Sequence, residues 1–376
     1  MRGSAGLLAL ALTLAVPGPA RAAAATAAEI DALGKAGKLD DAIAKGRAAT
    51  GEKPKDPDLR LALARALGTK ARRFNHVVNV KVSQKDLEKG EIKVPNPNLG
   101  DSPLQAGYDA SLFEEAQLNL DAGIAVAPTR EDLRAFKCFL LTDAGRIDRA
   151  KAAIVDAAKA LPSNDQTAKT LIAFGAERVK KDDFAGGASL MAPVAAAFPR
   201  NGAVQADYGN VLTRLGRKSE ADAAFDRAIA AAPGDKRTAR TRAVAAMLLR
   251  DYPRARGAFD DLSRSGRAME DRFAAAAAAY GMDPKGSLEL MKELAHPTAS
   301  ADQAVTDLAY QWFLVVKEGP GSAAAVSLGR KLAQTQQLVL AIPVLDRAAQ
   351  ANPKNDEAKK LLAKVYADLG APALAK

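Results

Sequence analysis

Small residues recur along this chain at fixed intervals, and that recurrence constrains its fold more than any other feature. Between Gly202 and Asp235 the sequence reads GAVQADYGNVLTRLGRKSEADAAFDRAIAAAPGD, with Gly209, Ala221, Ala228 and Pro233 at steps of twelve, seven and five. Two antiparallel helices that cross closely tolerate little more than a hydrogen or a methyl at the crossing, and Gly209, Ala221 and Ala228 meet that requirement. Tyr208 and Leu212 lie one turn apart on the first helix, and Phe225 lies one turn beyond Ala221 on the second. Bulk therefore falls beside the crossing and fills its flanks. Gly216 marks the turn. Pro233 lacks an amide hydrogen and disfavours helix at the residue before it, so the second helix stops there.

The same steps return along the chain. Ile30, Ala42, Ala49 and Pro54 carry them near the start, with Gly37 at the turn. Cys138, Ala150, Ala157 and Pro162 repeat them, as do Gly175, Gly187, Val194 and Pro199. Ala243, Ala255 and Leu262 hold the register with Arg267 where proline would stand, and Gly329, Ala341, Ala348 and Pro353 restore it later. A unit that begins at Pro57 meets its matching Ala116, Gly123 and Pro128 late, which places an insert between its two helices. Beyond residue 270 the pattern degrades: six alanines run from Ala274 to Ala279, and one additional helix is expected from Asp302 to Lys317, around Trp312. A closing segment with Leu362, Ala363, Tyr366 and Gly370 reads as the terminal helix that shields the last apolar face of an array.

This spacing resembles the tetratricopeptide repeat (TPR), and the resemblance covers most of residues 23–376. It implies an all-α fold, a right-handed superhelical solenoid of helix pairs in which the first helices line a concave groove for peptides or partner proteins. The expected order is a signal peptide (1–22), amino-terminal repeat helices (23–68), an insert (69–107), regular repeats (108–269), degenerate helical repeats with an extra helix (270–321), and a carboxy-terminal repeat with its capping helix (322–376).

Met1 to Ala22 has an early Arg2, an apolar core from Leu7 to Val16, a Pro17-Gly18-Pro19 break and then Ala20-Arg21-Ala22, the pattern of a cleavable export signal. The apolar core is too short to span a bilayer. The expected location is periplasmic or secreted, with no transmembrane segment after cleavage. The insert differs from everything around it, because Val78, Val80 and Val82 alternate with Asn79, Lys81 and Ser83, and Ile92 and Val94 alternate similarly. The prolines of PNPNLGDSP exclude regular helix, so a two-stranded hairpin and an irregular binding arm are expected there.

Familiar chemistry leaves no trace. The chain has no GxxxxGK[ST], no dinucleotide GxGxxG, no HExxH, no CxxC, no GxSxG elbow and no SxxK pair. His76 and His296 are far apart in sequence, and neither has a metal-ligand partner at helical spacing. Cys138, the single cysteine, stands where a small residue is needed and reads as a buried thiol rather than a nucleophile or ligand. No cofactor and no metal is expected. Carboxylates such as Glu114 and Glu115 read as solvated faces of amphipathic helices.

Charge supplies the one constellation. Lysine and arginine outnumber aspartate and glutamate by 54 to 44, a mild preference for anionic partners. Asn210 and Arg214 lie on the first helix of one unit, Arg237 and Arg240 on the first helix of the next, and by the resemblance these face the groove. Arginine's planar fork suits carboxylates. The competing reading is solvated arginines, or salt bridges between repeats to Asp207 or Asp235. The lysine and asparagine clamp that some members of the family use is not carried over, since Asn210 alone matches it. The function expected is a non-catalytic protein–protein interaction scaffold or adaptor of the bacterial cell envelope, with a protein or peptide partner of acidic character. The alternative is an exported enzyme or enzyme subunit acting on cell-wall glycan. Nucleic acid is not an expected partner, because the chain is exported, poor in aromatics and without a recognised binding module.

Overall fold

The computed structural model describes residues 25–72, 108–161, 164–266, 269–295, 303–354 and 356–375, and these form two compact units divided after Ala127. The expected signal peptide, most of the insert, His76 and His296 lie outside the described residues.

The first unit holds α1 (Ala27–Lys35), α2 (Leu39–Glu52), α3 (Pro57–Ala71) and α4 (Ala110–Val126). α3 buries most of its residues between Leu59 and Ala71 against the other three helices, leaving Thr69 exposed and Arg60, Arg65 and Lys70 half-buried. It runs through Gly68, Thr69, Lys70 and Ala71, so the helix extends past the expected start of the insert at residue 69; the buried Gly68 does not end it. The two ends of the insert are held together, with Arg72 bridging Tyr108 and the Asp109 amide donating to the Ala71 carbonyl at 2.8 Å. α3 and α4 pack directly as the two helices of one interrupted pair.

The second unit continues with α5 (Glu131–Asp143), α6 (Ile147–Ala160), α7 (Asp165–Val179), α8 (Phe184–Ala197), α9 (Gly202–Arg214), α10 (Lys218–Ala231), α11 (Lys236–Leu248) and α12 (Tyr252–Gly266). These are helix pairs of tetratricopeptide type. After them come α13 (Met269–Met282), α14 (Leu288–Ala295), α15 (Gln303–Glu318), α16 (Ala323–Gln334), α17 (Leu338–Ala351), α18 (Asp356–Asp368) and a short 3-10 turn at Pro372–Leu374.

Two devices set the helix ends. The first helices α7, α9 and α11 begin at Asn164, Asn201 and Asp235, whose side chains accept backbone N–H groups of the first turn. Between the helices of a pair the chain makes a left-handed turn: the Gly216 amide bonds Thr213 O at 2.9 Å and the Arg217 amide bonds Leu212 O at 2.9 Å. Equivalent turns stand at Gly37, Gly145 and Gly370, and at Asp182, Arg250 and Gln336, which adopt positive φ without being glycine.

Close crossings fall where the small residues recur. A methyl on Gly187 would stand 2.9 Å from the Gly175 carbonyl oxygen, and one on Gly175 would stand 2.9 Å from the Gly187 oxygen. A methyl on Gly209 would stand 3.2 Å from the Phe225 ring. Cys138 is fully buried, and burial pushes its thiol up to about 12. At mild alkaline pH the native chain should therefore resist a thiolate-selective label and react only after denaturant is added; rapid native labelling would place the thiol at the surface.

The end of the chain does more than cap the array. α17 packs on α11 and α13, and the alanines Ala274 to Ala279 of α13, all buried, allow that close approach. Trp312 of α15 lies edge-on to Phe273 and Tyr280, at 5.5 and 5.6 Å between centroids, and is wholly buried. The large apolar side chains of that helix that stay exposed are Tyr310 and Leu314.

Candidate functional site

Asn210, Arg214, Arg237 and Arg240 line one pocket of about 550 Å³, together with Lys236, Thr241, Val244, Leu262 and Asp271. α9 supplies the first two and α11 the next two, so one repeat step places both pairs on the same side of the array. The floor is part apolar through Val244 and Leu262, and four cationic side chains face a single carboxylate, Asp271.

The cations differ in what they already hold. Arg240 reaches Asp271 at 2.5 Å; its own side chain is 55% exposed, whereas that of Asp271 is 6% exposed. The competing reading named a salt bridge to Asp207 or Asp235; the carboxylate that Arg240 holds is Asp271 instead. Asp235 instead caps α11, accepting the amides of Arg237 and Thr238 at 3.2 and 3.1 Å. Asp207 is half-buried; burial raises the pKa of its carboxyl, and Arg237 opposes that rise through space. Arg237 itself is exposed.

Arg214 is the unusual member. Its guanidinium lies 5.8 Å from the centroid of the Phe184 ring and donates to the Leu369 carbonyl, while its Nε has no partner. No carboxylate pairs with it among the described residues, and burial lowers its pKa. A desolvated cation without a counter-charge is costly unless something supplies one. Gly370 makes the contact with the chain end feasible, since a methyl there would lie 2.4 Å from Phe184 and 3.1 Å from Arg214.

Beyond Arg214 the chain's own end covers the first helices. Arg250, just past α11, bonds the Tyr366 hydroxyl at 3.1 Å and the Leu374 carbonyl at 3.2 Å. The Tyr366 hydroxyl donates to Leu248 O at 3.0 Å, and the Tyr252 hydroxyl donates to Asp346 at 2.7 Å. Arg347 donates to the Gly281 carbonyl at 2.7 Å and to that of Met282, the last carbonyls of α13. The first-helix face of α9, α11 and α13 is thus divided: the C-terminal helices hold the C-terminal ends of these helices, and the basic pocket remains beside them.

Sequence reasoning found the two helix-borne pairs and missed Asp271, Val244 and Leu262. Leu262 and Asp271 come from α12 and α13, where the interval pattern carries no charge signal. Sequence reasoning also missed Lys236, the sequence neighbour of Arg237. Among the described residues no group of three or more His, Cys, Asp or Glu side chains is placed to hold a metal, and no helix is long and apolar enough to cross a membrane.

No protein-family model matches the chain, and no curated protein matches it. Among solved structures it is similar to the one titled "Functional Characterization of Pseudomonas Aeruginosa pilF", at 12% identity and TM-score 0.29, covering 65% of this chain and 94% of that one. It is similar also to Naa15/Naa10 bound to HypK-THB, at 13% and 0.39, covering 93% of this chain and 56% of that one. A third is yeast Tom70, at 14% and 0.30, covering 91% and 80%.

Proposed function

We propose that the chain is a non-catalytic interaction scaffold of the bacterial cell envelope, exported by its first 22 residues, that holds an acidic segment of a partner protein over the pocket of Asn210, Arg214, Arg237 and Arg240. The observation that carries this reading is Arg214, a half-buried guanidinium that pairs with no carboxylate among the described residues, since Asp271, the one carboxylate of the pocket lining, is held by Arg240. A carboxylate-bearing segment supplies the missing counter-charge, and Arg237 and Lys236 attract it from the rim. Val244 and Leu262 give an apolar neighbour of the acidic group somewhere to rest. The mature chain's excess of positive charge acts in the same direction.

The test uses the mature chain as bait in an envelope extract, beside the Arg237→Glu variant, with an assay on cell-wall polymers in parallel. Arg237 is the clean position, because Arg240→Glu would set two carboxylates together at a buried site. Expected is capture of an acidic partner by the wild type, its loss by Arg237→Glu, and no turnover of polymer. Equal capture by both chains, or hydrolysis of the polymer, contradicts the proposal.

A further inference from the structure

Arg214 belongs to two structures at once. It lines the basic pocket, and it holds the Leu369 carbonyl at the turn that leads from α18 into the final 3-10 segment. A guanidinium has five donors in a fixed plane, so one edge can bond a carbonyl while another bonds an anion. Nε is buried without a partner, and among the described residues the guanidinium meets the ring face of Phe184 and one carbonyl but no carboxylate. Nη1 makes the bond to Leu369, so an anion that meets the guanidinium from the pocket side does not compete for it. Such an anion lowers the cost of keeping the side chain in the one orientation that makes that bond.

We propose that an acidic segment bound in the pocket tightens the hold on the chain's own C-terminal segment through Arg214, so that ligand binding and C-terminal docking reinforce each other. This rests on the pocket being the anion site. Coupling of this kind is reciprocal: whatever the ligand adds to the docking, the docking adds to the ligand's affinity. The fold supplies the second half of the coupling at Arg250. That residue lies outside the pocket and bonds the same segment at Tyr366 and Leu374.

The experiment is amide hydrogen exchange on the full chain with and without a saturating hexaglutamate peptide. The reporters are the Gly370, Ala371 and Leu374 amides, which bond Ala367, Tyr366 and Ala371. Expected is exchange slowed about fivefold or more at these amides, with no change in α6, and no slowing at saturation in Arg214→Gln. In Arg250→Ala, which loosens the segment without touching the pocket, the peptide should bind about fivefold more weakly. Peptide binding that is weakened by Arg237→Glu but leaves the reporter amides unchanged or faster overturns the coupling and leaves the binding site standing. Unchanged affinity in Arg250→Ala does the same. Binding indifferent to Arg237→Glu overturns the site itself, and the coupling with it.

Discussion

Gly187→Leu is expected to lower the stability of the chain by about 2 kcal/mol or more, while Gly257→Ala raises it by about 0.5–1 kcal/mol. Both glycines sit inside helices, so intrinsic propensity favours both replacements, by up to about 1 kcal/mol. Surroundings decide the sign. A Cβ on Gly187 would lie 2.9 Å from the carbonyl oxygen of Gly175 and 2.6 Å from Val179, whereas one on Gly257 meets nothing within 4 Å. Backbone cannot rotate away as a side chain can, so α7 and α8 would have to separate. Overpacking of this kind costs about 1–3 kcal/mol and outweighs the propensity gain. Urea midpoints followed by circular dichroism measure both. An unchanged or raised midpoint for Gly187→Leu would refute the close crossing, and with it the register on which the repeat assignment stands.

Asp346→Ala should cost about 3 kcal/mol, because Asp346 joins the C-terminal helices to the repeats from a buried position. It is 3% exposed, accepts the Tyr252 hydroxyl at 2.7 Å, and lies 3.5 Å from Arg250. Removing it leaves a buried hydroxyl and a half-buried cation without their acceptor. Burial already raises the Tyr252 pKa, so the phenol cannot relieve the loss by ionising. Arg250 also stands at φ 58°, a conformation that costs a residue other than glycine about 1–2 kcal/mol. Its bonds to Tyr366, Leu374 and Asp346 give a reason for arginine where Gly216 serves in the preceding pair. Asp261→Ala is the control: its pair with Arg264 is about three-quarters exposed on both sides, and the change should stay within about 0.5 kcal/mol. Equal effects from the two substitutions would mean that the C-terminal helices are not held by this network.

The helix pairs were legible because steric exclusion at a crossing writes itself into the sequence as small residues at fixed steps. Gly175 with Gly187 is a contact that the steps alone pointed to, whereas Gly209 faces the ring of Phe225, a side chain expected beside the crossing. The turn was legible at Gly37 and Gly216 and invisible at Asp182, Arg250 and Gln336, where a longer side chain takes the same left-handed turn. The return of α17 and α18 onto α11 and α13 was not legible at all. Leu338 to Pro353 keeps the repeat steps, so it reads as one more unit, and contacts between residues about a hundred positions apart leave no periodicity. Its single trace is Asp346 directly after the apolar run Ala341 to Leu345, which reads equally well as a solvated charge. The same limit applied to the pocket. Asn210 with Arg214 and Arg237 with Arg240 each share a face of one helix by spacing, and the resemblance brought the two pairs together, while Asp271 joins them only through the fold.

The most direct test of the proposed site is a calorimetric titration of hexaglutamate into the wild-type chain and Arg237→Glu, at ionic strengths below and above about 0.1 M, where screening acts over about 10 Å. The pocket reading predicts one peptide per chain, affinity about tenfold weaker in Arg237→Glu at low salt, and a difference that narrows as salt rises. Equal affinities for the two chains at low salt would contradict it.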